Sequence, residues 1–86
     1  MDKDISVRMI LSVFEKITEH GTAKDDRHEL EGVIGYTDHD GYTVFLEDHK
    51  VKLRTGFHNT YHLDYDSARD YENFMKKLKQ IERDYD

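Results

Sequence analysis

No cysteine occurs among the 86 residues. Disulfides, thiolate metal centres and cysteine nucleophiles are therefore excluded. Proline is also absent, and no repeat or low-complexity stretch divides the chain, so one domain is expected. Long apolar runs are missing as well: Val7–Phe14 is broken by Arg8 and Ser12, with no basic region or small-residue cleavage site before it. Such a run is too short and too polar for a signal peptide or a membrane span, and a cytoplasmic protein is the expectation. A basic excess is lacking too. Asp and Glu outnumber Lys and Arg by 19 to 13, for a net charge of −6, which argues against nucleic-acid and anionic-membrane partners.

Small size limits what chemistry the chain can house. A domain of this length buries only about 60% of the surface its unfolded chain exposes. Its large apolar residues are thus needed for the core rather than for an enclosed substrate pocket. No glycine-rich phosphate loop is present, and Ser6, Ser12 and Ser67 lie on or beside expected helices without a nucleophile elbow. His62, Asp64 and Arg54 fall near one another on a flat sheet face, which does not desolvate carboxylates for acid–base work. A non-enzymatic protein without a cofactor is expected.

What is present is organised around Leu30–Tyr65, rich in β-branched and aromatic residues and punctuated by turn signals. Before it, Val7, Ile10, Leu11, Phe14 and Ile17 recur at helical spacing, widened by Met9 and Val13, over about residues 4–20. Asp2 or Asp4 suits the N-cap, and Gly21 suits a left-handed residue after the last turn. Residues 20–29 carry no periodicity and read as a solvated connection. After Tyr65 the period returns to about 3.6. Asp66 or Ser67 caps a second helix whose buried stripe is Tyr71, Phe74, Met75, Leu78, Ile81 and Tyr85. The fold class is α+β: a four-stranded antiparallel β-meander with the N-terminal and C-terminal helices packed on one face, in the order α-β-β-β-β-α.

Strand register follows from asking which turns place apolar residues together. A three-residue loop His39-Asp40-Gly41 pairs Tyr36 with Val44 and Ile34 with Leu46. A two-residue Asp40-Gly41 turn sends Ile34 and Val44 to opposite faces, so the first is preferred. A turn over residues 47–50 sets Val51 against Leu46, and one over residues 58–60 sets Leu63 against Thr55. The apolar face then holds Ile34, Tyr36, Val44, Leu46, Val51, Leu53 and Leu63, with Leu30, Tyr42, Phe57, Tyr61 and Tyr65. The opposite face holds Val33, Gly35, Phe45, Lys52, Arg54 and His62. Charge pairing and aromatic cover over glycine are ordinary on a wet face. Val33 and Phe45 are apolar where solvent needs nothing apolar, however, and this surface is the candidate for a protein partner or for a second copy, by face or by edge strand.

Two constellations look chemical. Residues 36–47 match a calcium loop at Asp38, Asp40, Gly41 and Glu47, but Tyr36 replaces its first ligand and both flanks read as strands rather than helices. His39 and His58 occupy turns at one end of the sheet, about 10 Å apart, with Asp38, Asp40 and Asn59 beside them. That end is the alternative site, for a divalent metal or small ligand, although no ligand spacing such as HExxH supports it.

The chain resembles a family of short bacterial proteins classed as a domain of unknown function. The resemblance rests on Phe14-Glu15-Lys16-Ile17 with His20-Gly21, on Leu30-Glu31-Gly32, and on Asp40-Gly41-Tyr42-Thr43-Val44-Phe45-Leu46. It continues through Phe57-His58-Asn59, Tyr61-His62 and Asp64-Tyr65. It implies a small cytoplasmic bacterial protein and transfers no activity, cofactor or catalytic residue. The expected function is a non-enzymatic protein-interaction or regulatory module that uses the helix-free sheet face.

Overall fold

The computed structural model of the chain describes residues 5–56 and 60–85. Helix α1, Val7–His20, starts at Ser6, whose side chain accepts a hydrogen bond from the Met9 amide at 3.1 Å. A serine hydroxyl thus satisfies one of the amides that the first turn leaves unpaired. The expected caps Asp2 and Asp4 lie outside the described residues. Met9, Ile10, Val13 and Ile17 form the buried stripe, while Leu11, expected within it, is 43% exposed. Gly21 ends the helix with extended backbone (φ −79°, ψ 172°) rather than the left-handed turn anticipated. Close approach is the reason for glycine here. A Cβ would lie 2.5 Å from the Ile17 carbonyl oxygen and 2.7 Å from that of Glu29.

The sheet has six strands, not four: β1 (Thr22–Lys24), β2 (Arg27–Leu30), β3 (Val33–Thr37), β4 (Val44–Glu47), β5 (Lys52–Thr55) and β6 (Tyr61–Asp64). All neighbours are antiparallel and consecutive, so the meander is correct in kind and two strands short in count. The residues read as a solvated connection form the missing hairpin. Its strands bury almost nothing, so no apolar alternation marks them. Two short turns make it: Asp25-Asp26, with Asp25 at φ 58°, and Glu31-Gly32, with both residues at positive φ (54° and 84°). The second matches a two-residue turn whose twist suits a hairpin.

Register at the β3–β4 hairpin also differs from expectation. Thr37 pairs with Val44, Tyr36 with Phe45 and Gly35 with Leu46. This is the alignment that sends Ile34 and Val44 to opposite faces. Asp38 sets it: its amide donates to the Thr43 carbonyl, and its Oδ1 accepts from the amides of Tyr42 and Thr43 at 3.0 and 3.2 Å. The loop is thereby fixed at four residues, His39–Tyr42. A one-residue slip turns every side chain of β3 over. The β4–β5 and β5–β6 alignments differ from expectation by two residues, and this leaves their faces unchanged.

The consequence for the core is direct. Val33 is fully buried, and Gly35 is buried beneath α1; a Cβ on Gly35 would meet Phe14 at 3.2 Å and Ile17 at 3.3 Å. Leu46, Val51 and Leu53 join them under the helices, with Leu30, Tyr61 and Leu63 at the margin. Tyr42 and Tyr65, expected on this face, are exposed, and Phe57 lies outside the described residues.

Helix α2, Ala68–Asp84, begins at Ser67, which accepts from the Asp70 amide at 3.1 Å. Phe74, Met75, Leu78 and Ile81 are its buried residues, with Tyr71 and Tyr85 partly covered. It is tied to α1 by Lys16 Nζ donating to the Glu82 carbonyl at 2.6 Å. Lys77 Nζ donates to Asp48 Oδ2 at 3.0 Å, pinning α2 to the β4–β5 turn. Both helices thus share one core with a single face of the sheet.

Candidate interaction surface

Register fixes what the other face displays. Side chains at paired positions point to the same side, so the open face carries two parallel rows. One runs Lys24, Arg27, Tyr36, Phe45, Arg54, His62, from β1 to β6. Arg27 extends the β2–β3 register by one step and holds its guanidinium 4.0 Å from the centroid of the Tyr36 ring. The other row runs Thr22, Glu29, Ile34, Glu47, Lys52, Asp64.

At the centre, Tyr36 and Phe45 stack with centroids 4.8 Å apart and planes 11° from parallel. Arg27 covers the outer face of Tyr36, so guanidinium and two rings form one continuous stack. The Tyr36 hydroxyl donates to Glu47 Oε2 at 2.6 Å. Burial raises the Tyr36 pKa, the Glu47 hydrogen bond and charge add to the rise, and Arg27 opposes it. Beside the stack lies an open depression of about 260 Å³, lined by Tyr36, Phe45, Lys52, Leu53, Arg54 and Asp64.

Of the residues expected on this surface, Phe45, Lys52, Arg54 and His62 are there. Val33 and Gly35 are not; the slip in β3 puts both in the core. The same slip brings Ile34 and Tyr36 out, and these are the residues the sequence reading missed. Their signal was available in the two-residue alternative for the Asp40-Gly41 turn, which gives this pairing.

At the end of the sheet, Asp38 is committed to its own loop. Hydrogen bonds from the Thr43 amide, with others from Gly41 and Tyr42, hold its carboxyl below the ordinary aspartate value. His39 and Asp40 are exposed. His58 and Asn59 lie outside the described residues. Among the described residues, no group of three or more His, Asp or Glu side chains is placed to hold a metal ion.

Fold and surface together define a small two-layer α+β domain with helices on one side of an antiparallel sheet and an aromatic, charged face on the other. The model of a family described as a protein of unknown function (DUF3081) matches residues 5–86. The chain belongs to this family. Searches of curated proteins and of solved structures return no significant match. Among the described residues, no helix is long and apolar enough to cross a membrane.

Proposed function

We propose that the protein is a non-enzymatic interaction module that docks a protein partner on the helix-free face of its sheet. The supporting observation is the Tyr36–Phe45 stack, flanked by Ile34 and Arg27, on the side of the sheet opposite both helices. Apolar rings at the centre of a rim of charges are the arrangement found at protein interfaces. A stacked pair held by cross-strand pairing is also rigid, so little ordering entropy is lost on docking.

The test is chemical-shift mapping of ¹⁵N-labelled protein in a lysate of the cells that make it. Broadening concentrated at Ile34, Tyr36, Phe45, Arg54 and His62, and abolished by Phe45→Glu with circular dichroism unchanged, is expected. Broadening confined to the outer surface of α2, or none, contradicts the proposal. Self-association through the same face is a second form of it. Sedimentation then shows a dimer that Phe45→Glu converts to monomer.

A further inference from the structure

The two edges of the sheet are not alike. Among the described residues, no strand lies beyond β1 or β6. Along an antiparallel strand, backbone N–H and C=O groups point alternately to one neighbour and to the other. The Asp38 amide bonds to the Thr43 carbonyl, and the Asp48 amide to the Val51 carbonyl. Carried across the sheet through the strand pairings, both bonds give one result. In β6, the backbone groups of His62 and Asp64 turn toward β5, and those of Tyr61 and Leu63 turn outward. On the same count, only Ala23 among the three residues of β1 turns outward. The β6 edge is therefore the one able to extend the sheet.

Side chains leave that edge partly uncovered. Leu63 pairs with Leu53 and Tyr61 with Thr55 on the helix side of the sheet. Leu53 and Thr55 are sealed, whereas Leu63 and Tyr61 are half-buried. Tyr65, next on the same side, is 47% exposed, with its ring 5.1 Å from that of Tyr71. His62 and Asp64 stand on the other side, both exposed. Read in either direction about Leu63, this strand matches itself. A two-fold axis at Leu63, normal to the sheet, sets Leu63 opposite Leu63, Tyr61 opposite Tyr65 and His62 opposite Asp64. Apolar then meets apolar, and base meets acid. Moved to Asp64, the axis sets two carboxylates against each other. Moved to His62, it sets two imidazoles together, each with Arg54 behind it. An axis between residues sets Leu63 against a polar neighbour.

We infer that a second copy of this chain pairs its β6 antiparallel to β6 about Leu63, joining the two sheets edge to edge. Leu63 exchanges both of its backbone hydrogen bonds with the partner's Leu63. His62 and the partner's Asp64 form the pair without hydrogen bonds, where Cα atoms approach to about 4.5 Å and side chains are nearest. Symmetry supplies that pair twice. The partner's Tyr65 lies beside Tyr61 on the helix side, adding apolar contact where both rings are partly exposed. A foreign strand satisfies the backbone of Leu63 equally well. Acid and base two residues apart, in reversed order, are what a second copy supplies. The Tyr36–Phe45 face stays free in this dimer, which is thus separate from docking on that face. The edge over residues 61–65 is only about 17 Å long. So small an interface gives a weak dimer, forming in roughly the 0.1–1 mM range.

The experiment follows the full chain by sedimentation and ¹⁵N spectra from about 20 μM to about 2 mM. Mass rising toward the dimer is expected, with concentration-dependent shifts and slowed hydrogen exchange at the Leu63 amide. In a mixture of ¹³C-labelled and unlabelled chains, an intermolecular contact between the α-protons of His62 and Asp64 is expected. His62→Asp, on the exposed side, should weaken the dimer roughly tenfold with circular dichroism unchanged. The double variant His62→Asp/Asp64→His should restore it. Phe45→Glu should leave this dimer intact, whereas a dimer through the open face would be lost. A chain still monomeric at the highest concentration overturns the inference, as does an α-proton contact of His62 with His62 or of Asp64 with Asp64. Loss of the dimer in Phe45→Glu overturns it too. A monomer whose β6 amides broaden in lysate takes a foreign strand instead, which is equally contrary. If no dimer forms while lysate broadens Ile34, Tyr36 and Phe45, edge pairing falls and docking on the open face stands.

Discussion

Asp48 shows how much one side chain can organise. Its Oδ1 accepts from the amides of Lys50 and Val51 at 2.8 and 2.7 Å, while Oδ2 takes the Lys77 ammonium at 3.0 Å. Burial pushes its pKa up, and hydrogen bonds from Lys50, Lys77 and Val51 outweigh that push, leaving it below the ordinary value. A depressed folded-state pKa gives stability that is present above the unfolded value and lost as pH falls through the folded one. Asp38 is lowered as well and acts with the same sign. Thermal stability should therefore be flat near neutrality and decline below the usual aspartate range of about 4. Asp48→Ala should cost about 2–4 kcal/mol and flatten that acid limb, as read by denaturant unfolding at several pH values. An unchanged limb contradicts the assignment. Gly35→Glu and Phe45→Glu make a paired test at the same scale. The first drives a carboxylate against Phe14 and Ile17 and should abolish cooperative unfolding. The second loses the Tyr36 stack on a half-exposed face and should cost about 1 kcal/mol while unfolding stays cooperative. Gly21→Ala, whose Cβ meets two backbone carbonyls, should cost about 1–3 kcal/mol.

At the scale of elements, both helices were legible in the sequence and two strands were not. Phe74, Met75, Leu78 and Ile81 announce α2 because a helix on a sheet must bury one continuous stripe. The β1–β2 hairpin buries almost nothing, so only its backbone pairing and the turns at Asp25-Asp26 and Glu31-Gly32 define it; periodicity of hydrophobicity cannot detect such a pair. The misassigned face of β3 has a different origin. Placing the apolar residues on one side is a sound rule for a sheet with one wet face, and it fails where the open face carries Ile34, Tyr36 and Phe45. Gly35, expected on the open face, instead lies in the core against Phe14 and Ile17 of α1. The candidate surface was thus half legible: residues on β4, β5 and β6 were placed correctly, and those on β3 were exchanged. Hydrogen exchange should separate the elements. Amides of β1 and β2 should exchange faster than those of β3 to β5, because few buried contacts hold the outer hairpin. Gly32→Val, at φ 84°, should cost about 1–2 kcal/mol and speed exchange in that hairpin first.

Across the whole molecule, apolar surface and charge are both distributed unevenly. One side of the sheet is sealed by Ile10, Val13, Ile17, Phe74, Leu78 and Ile81, each wholly buried. The other keeps a stacked aromatic pair in contact with solvent and, among the described residues, leaves Lys24, Arg27, Lys52 and Arg54 outside any ion pair. The account depends on that assignment of faces, and paramagnetic relaxation by a soluble, uncharged spin probe tests it directly. Ring protons of Tyr36 and Phe45 and the methyls of Ile34 should relax strongly, while the Val33 methyls and the Gly35 α-protons stay unaffected. Protection of Phe45 together with exposure of Val33 would contradict it.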